Sequence, residues 1–216
     1  MKLTKKQKSL CLELFKIGAI KFGEFKLKLH DENPKAPLSP VYIDLRILRR
    51  FPKAKRAAVD VYVELLRPLK FDLLADVPTA ATPLVSSLSD RLRVGMITPR
   101  KDAKKHGSGA KVDGMVREDK GKKAVMVDDL VTRADSKLEA AETLKSEGVR
   151  VKDIVVLIDR KQGGGRQLKS KGYRLRSALT MQQMLDFYLE KGVIKKRVYQ
   201  NTVSGITALN KFLGIK

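Results

Sequence analysis

The chain is 216 residues long, carries one cysteine and no tryptophan, and has a formal net charge of +22. The lone Cys11 excludes a disulfide framework, the length suits one compact domain with a core of its own, and no apolar run is long enough to cross a membrane. The charge exceeds what one anionic ligand requires, yet aromatic residues are sparse and base-stacking platforms are not expected; the excess reads as solubility and substrate steering, with nucleic acid a disfavoured partner.

From the N-terminus, Met1-Lys2-Leu3-Thr4-Lys5-Lys6 leads into an amphipathic helix and lacks the hydrophobic region of a signal peptide, which predicts a soluble, cytoplasmic protein. His30, in the proline-bearing loop 29–38, reads as a surface residue. Helical stretches near Lys53–Leu66, Leu84–Leu92, Ser136–Glu147 and Met181–Lys191 alternate with apolar strands near Leu73, Val94, Val125 and Val155. That alternation predicts an α/β fold, a parallel sheet flanked by helices. Phe71–Leu84 reads as a strand, a proline-punctuated turn and a helix start, and 107–121 as a mobile, glycine-bearing stretch. Basic residues gather without an intervening acid in 46–56 and again in 161–176, and 195–216 is a last basic, partly amphipathic segment expected to pack on the domain.

Three segments carry chemistry. In Val125-Met126-Val127-Asp128-Asp129-Leu130-Val131-Thr132-Arg133-Ala134-Asp135-Ser136 an apolar run ends in paired acids and then in a short polar turn that opens a helix. Open parallel sheets bind ligands at strand C-termini; there the acids would meet sugar hydroxyls and the turn amides a phosphate. Ser136-Lys137-Leu138-Glu139 also has the spacing of a capping box. In Thr98-Pro99-Arg100-Lys101-Asp102-Ala103-Lys104-Lys105-His106-Gly107, several cations with one titratable donor suit a departing polyphosphate. Finally, the strand Ile154–Ile158 ends in Asp159-Arg160-Lys161-Gln162-Gly163-Gly164, where an arginine is well placed to contact a carboxylate in bidentate fashion.

Together these residues resemble the orotate branch of the type I phosphoribosyltransferases: four apolar residues, two acids, two apolar residues and Thr132; then Arg-Lys-x-x-Lys-x-His-Gly at 100–107; then Asp-Arg-x-Gln-Gly-Gly at 159–164. Lys21–Lys28 and Ser39–Arg46 resemble the family's N-terminal hairpin. The resemblance implies a type I phosphoribosyltransferase-like parallel sheet with an N-terminal helix/hairpin hood, as one domain with the hood at 1–50, the core at 51–178 and a C-terminal helical segment at 179–216. It implies transfer of phosphoribosyl from phosphoribosyl pyrophosphate to orotate in pyrimidine biosynthesis, with Mg²⁺ as cofactor held by substrate oxygens and water rather than by a protein metal site. Asp128, Asp129, Lys104 and His106 would be catalytic. Phosphoribosyl pyrophosphate would be bound by Arg100, Lys101, Lys104, His106, Asp128, Asp129, Lys28 and the turn Thr132, Arg133, Ala134, Asp135, Ser136, with backbone donors at Thr79, Ala80 and Ala81. Thr132 and Arg160 would bind orotate. The family's loop crosses a dimer, so Lys101 would reach the partner's site in a homodimer, and an orotidine monophosphate decarboxylase is a further candidate partner.

The turn departs from the family, which has small residues where Arg133, Ala134 and Asp135 stand; a carboxylate beside a phosphate would repel it unless Asp135 turns outward. Two other readings compete. A transferase for another base would need a different segment after 154–158, whereas a non-catalytic regulator binding nucleic acid would have little use for Arg100, Lys101, Lys104 and His106 together.

Overall fold

The computed structural model describes residues 2–27, 29–100 and 110–215. In chain order the elements are α1 (Lys5–Lys16), β1 (Ile20–Phe25), α2 (Leu29–Glu32), β2 (Ser39–Ile43), α3 (Pro52–Leu66), β3 (Leu73–Asp76), α4 (Thr82–Leu92), β4 (Met96–Pro99) and β5 (Val112–Asp113). They continue with β6 (Lys123–Val131), α5 (Asp135–Ser146), β7 (Arg150–Asp159), α6 (Gly164–Ser170), β8 (Arg174–Thr180), α7 (Met181–Glu190) and α8 (Lys196–Phe212). Residues 1–54 with 181–216 form one compact unit and 55–180 another.

In the second unit, six strands lie in the order β5-β4-β3-β6-β7-β8. β4, β3, β6, β7 and β8 run parallel, and β5 pairs antiparallel to β4 at the edge, so the sheet is mainly rather than wholly parallel. The β6 and β7 sequences are near-continuous apolar runs because strands covered on both faces have no solvent side to alternate with. Met126, Val127, Ile154, Val155 and Val156 are fully buried. β4 starts at Met96 rather than near Val94, because Arg93 ends α4 in the left-handed region and Val94 C=O accepts the Ser89 hydroxyl at 2.6 Å. Within the stretch 107–121, the described part holds β5 and a 3₁₀ turn at Arg117–Asp119. α6 and β8 were not foreseen. β8 interleaves Arg174 and Arg176 with apolar residues, and both arginines pair with Asp153 of β7.

The first unit is built on the antiparallel β1–β2 hairpin, with Ile20 opposite Ile43. α1 opens with a capping box, the Thr4 hydroxyl accepting from Gln7 N–H and the Gln7 side chain from Thr4 N–H, and it buries Leu10, Cys11 and Leu14. Tyr188 of α7 donates its hydroxyl to Cys11 C=O at 2.8 Å. His30 is not a surface residue: it is buried, with Nδ1 accepting from Leu27 N–H at 2.9 Å and Nε2 donating to Pro37 C=O at 3.2 Å, which ties the two ends of the hairpin loop together. α8 lies against β2, where Gly205 faces Pro40 so closely that a Cβ would stand 2.9 Å from the ring.

Alanine in place of a helical glycine ordinarily stabilises by up to about 1 kcal/mol. At this contact the sign reverses, because overpacking against a rigid ring costs about 1–3 kcal/mol. Gly205→Ala is therefore expected to lower the unfolding free energy by about 1 kcal/mol in urea titrations.

Candidate active site

The sheet order changes direction at β3, with β4 on one side and β6 on the other, and ligand crevices of open α/β sheets form at such points beyond the strand C-termini. β3 and β6 are joined there, Asp76 opposite Val127 and Val77 N–H donating to Val127 C=O at 3.2 Å. Immediately beyond stand Asp128 and Asp129.

The two acids differ in their surroundings. Asp128 is buried; its Oδ1 accepts Asp129 N–H at 2.8 Å, its Oδ2 lies 2.5 Å from the Nζ of Lys137, and its C=O accepts the Tyr62 hydroxyl at 2.6 Å. Asp129 is half-buried and anchored through Oδ1 to Leu130 N–H at 2.7 Å. Burial, and then the adjacent charge of Asp128, push the Asp129 carboxyl from 3.8 up to about 7. A raised carboxyl pKa means that the folded chain holds the proton more tightly than the unfolded one, so this group weakens the fold progressively as pH rises from about 4 to about 7. Burial and the same two carboxylates raise Tyr62 well above the usual phenol range and keep it a neutral donor.

The turn after β6 is held from α6. Ala134 N–H donates to Gln167 Oε1 at 2.9 Å, and Gln167 Nε2 donates to Asp135 Oδ1 at 2.7 Å. The other Asp135 oxygen faces Arg133 Nε at 3.3 Å, so this carboxylate is engaged within the turn and with α6. α5 begins at Asp135 with Ala134 as N-cap and no side-chain cap, which overturns the capping box expected at Ser136–Glu139. Gly164 lies flush against the turn: a Cβ would meet Val131 Cγ2 at 2.5 Å and Thr132 O at 2.8 Å. Beside it Arg160 N–H donates to Val131 C=O at 3.0 Å, which brings Arg160 next to Thr132. The Arg160 guanidinium is buried; desolvation lowers its pKa to about 10, which leaves it charged at neutral pH.

At the end of β3, the buried Asp76 accepts the hydroxyls of Thr98, at 2.5 Å, and of Thr82, and so ties the turn Val77–Ala81 to β4 and α4. Arg100 pairs with Asp113 at 3.3 Å, and its Nη1 is buried without a hydrogen-bond partner among the described residues. Arg100 shares a cavity of about 130 Å³ with Val77, Pro78, Ser136, Glu139 and Thr143. No group of three or more His, Cys, Asp or Glu side chains able to hold a metal occurs among the described residues.

Residues 46–174 match the model of the phosphoribosyl transferase domain. An orotate phosphoribosyltransferase of Caenorhabditis elegans is 34% identical over 180 residues, 82% of this chain and 76% of the relative. The chain belongs to the orotate phosphoribosyltransferase family. A solved orotate phosphoribosyltransferase from Aeropyrum pernix superposes with a TM-score of 0.69 at 30% identity, covering 82% of this chain and 97% of that one. UMP synthase of Leishmania donovani gives a TM-score of 0.79 at 32% identity; it is covered over 42% of its length by 96% of this chain.

Against the family's site, the structure brings Asp128, Asp129, Thr132 and Arg160 to adjoining strand ends, and Ser136 to the same cavity as Arg100. Ala81 is fully buried at the start of α4. Lys28, Lys101, Lys104 and His106 lie outside the described residues. Three participants escaped the sequence reading: Tyr62, Gln167 and Lys137. For Lys137 a signal existed, since a lysine in the first turn of a helix opposes the macrodipole and calls for a compensating acid. Gln167 carried none.

Gln167→Ala should leave the fold within about 1 kcal/mol of the parent, as loss of one part-buried and one exposed hydrogen bond implies. It should also free Asp135 to turn on a bound phosphate, raising KM for the phosphoribosyl substrate several-fold with kcat nearly unchanged in steady-state assays.

Proposed function

We propose that this chain transfers the phosphoribosyl group to orotate through the residues gathered at the ends of β6 and β7. Orotate attacks as its ring-nitrogen anion; the new bond forms to the anomeric carbon as the bond to pyrophosphate breaks, and the electron pair leaves with pyrophosphate. The observation that carries the reading is that the paired strands β6 and β7 bring a half-buried Asp129 and a buried, charged Arg160 to the same end of the sheet: an anion for the ribosyl centre and a cation for a base that bears a carboxylate.

Asp129 accepts ribose hydroxyls and opposes the positive charge that develops on the ring. Thr132, Ser136 and the turn amides other than that of Ala134 bind the 5'-phosphate. Arg160, with Thr132, orients orotate. Arg100, with Lys101, Lys104 and His106 of the following segment, draws off the pyrophosphate; the match of 100–107 to the family's loop supports this, as it does a homodimer in which Lys101 serves the partner's site. Both Asp128 oxygens are engaged by the protein, and the described residues offer no acidic cluster, which suits Mg²⁺ carried by pyrophosphate oxygens and water. When bound, the ion neutralises the pyrophosphate charge. The similarity to a UMP synthase supports a decarboxylase acting on the product as a partner. No described helix is long and apolar enough to cross a membrane; with a single cysteine, a reducing cytoplasm suits the chain.

Incubation with orotate, phosphoribosyl pyrophosphate and Mg²⁺, followed by loss of orotate absorbance, should give turnover that uracil and hypoxanthine do not; turnover with either of those bases instead would refute the assignment. Arg160→Met should raise KM for orotate at least about 100-fold, the equivalent of a lost charge-assisted contact of about 3 kcal/mol, with KM for the phosphoribosyl substrate little changed. Because Asp129 is protonated below about pH 7 in the free chain, kcat/KM for the phosphoribosyl substrate should rise with pH through that value, and Asp129→Asn should abolish the rise.

A further inference from the structure

Lys137 is among the most buried charged residues of the chain, with 3% of its surface exposed, and it stands in the first turn of α5, where the helix dipole disfavours a cation. A buried ammonium persists only when paired, and its partner is Asp128 Oδ2 at 2.5 Å. The remaining Asp128 oxygen receives Asp129 N–H at 2.8 Å, and the Tyr62 hydroxyl fixes the backbone carbonyl at 2.6 Å. Asp128 thus has both carboxylate oxygens occupied by the protein. Asp129 is half-buried, and its Oδ1 is anchored to Leu130 N–H at 2.7 Å.

We propose that Lys137 is a positioning residue of the transfer site, holding Asp128 as a fixed, internal anion so that Asp129 alone meets the ribose. The proposal rests on the transferase reading above and divides between two residues a role that the paired acids would otherwise share. Charge counting gives the reason. Above about pH 7, where Asp129 ionises, two carboxylates and one ammonium leave a net single negative charge, matched to the single positive charge that develops on the ribosyl ring. Without the ammonium, adjacent buried carboxylates would retain a proton and the site would approach neutrality. Among the described residues, the ionisable groups facing the pair from neighbouring elements are Tyr62 of α3 and Lys137 of α5; Tyr62 is neutral, so Lys137 is the counter-charge that α3 and α5 supply.

Lys137→Met should lower kcat/KM for the phosphoribosyl substrate at least about fivefold at pH 7 and move the acid limb of its pH profile upward by about one unit or more, so that the loss shrinks toward pH 9. Lys137→Arg, which keeps the charge, should leave the limb where the parent has it. An unmoved limb in Lys137→Met, with only the melting temperature lowered, would make Lys137 a structural ion pair and overturn the proposal. Should Lys137→Met fail to fold, Lys137→Gln keeps a hydrogen bond to Asp128 without the charge and should shift the limb in the same direction. Infrared difference spectra of the substrate-free parent between pH 5.5 and 8.5 give an independent test: one carboxyl C=O band attributable to this site should titrate and vanish in Asp129→Asn, whereas a second band that vanishes in Asp128→Asn would refute the pairing. Failure of the parent to turn over orotate would count against the transferase reading, not the pairing, because the spectra and melting curves need no substrate.

Discussion

Two carboxylates adjacent in sequence at the buried end of one strand cannot both ionise without a counter-charge, and in this chain the counter-charge is the ammonium of Lys137. Much of the surrounding architecture follows from that requirement. The lysine comes from the helix that begins directly after the strand, which sets how few residues the intervening turn can have. Tyr62 of α3 secures the same aspartate through its carbonyl, so the end of β6 is held through both backbone and side chain. The result is an asymmetric pair: one acid is part of the scaffold, and the other stands half-buried with its carboxyl near neutrality.

The turn that follows, Thr132–Asp135, contains no glycine and is held by side chains from outside it. Arg133 and Asp135 bring bulk and charge to the turn after β6, and the chain answers from outside it. Gln167 takes the Ala134 amide with its carbonyl and the Asp135 carboxylate with its amide, so one side chain holds the backbone and engages the anion at once. The close approach that glycines in the turn would allow is provided by Gly164 on the opposing helix start, where a Cβ would collide with Val131 and Thr132.

The parallel core, the acids at its edge and the arginine after β7 were legible in sequence because each depends on local pattern: apolar runs of strand length followed by polar residues at a fixed offset. What escaped was non-local. Gln167 gains its role only when α6 is laid against the turn, 33 residues away in sequence. His30 looked like a loop residue on the surface and is buried, because its two ring nitrogens satisfy backbone groups at Leu27 and Pro37 that a folded loop must otherwise leave to water. The capping box at Ser136 failed by two residues of register: the N-cap is Ala134 and α5 begins at Asp135, inside which Ser136 can no longer act as a cap. β8 was missed because its alternating arginines read as a solvated charge run.

That misreading bears on the net charge of +22. Residues 161–176 contain no acid, yet three of their six cations are paired across the fold: Lys161 with Asp159 at 3.0 Å, and Arg174 and Arg176 with Asp153 at 2.6 and 3.3 Å. The acids belong to the neighbouring strand β7, whose register sets Asp153 opposite Arg174. A run of like charge along the chain is therefore not a run of like potential on the surface. Part of what resembles a polyanion-binding stripe in sequence is ladder chemistry at the edge of a sheet, with each exposed pair contributing about 1 kcal/mol or less. The cations left over add to a positive field that raises the encounter rate of a highly charged pyrophosphate substrate, a long-range effect that needs no specific contact and weakens as salt is added.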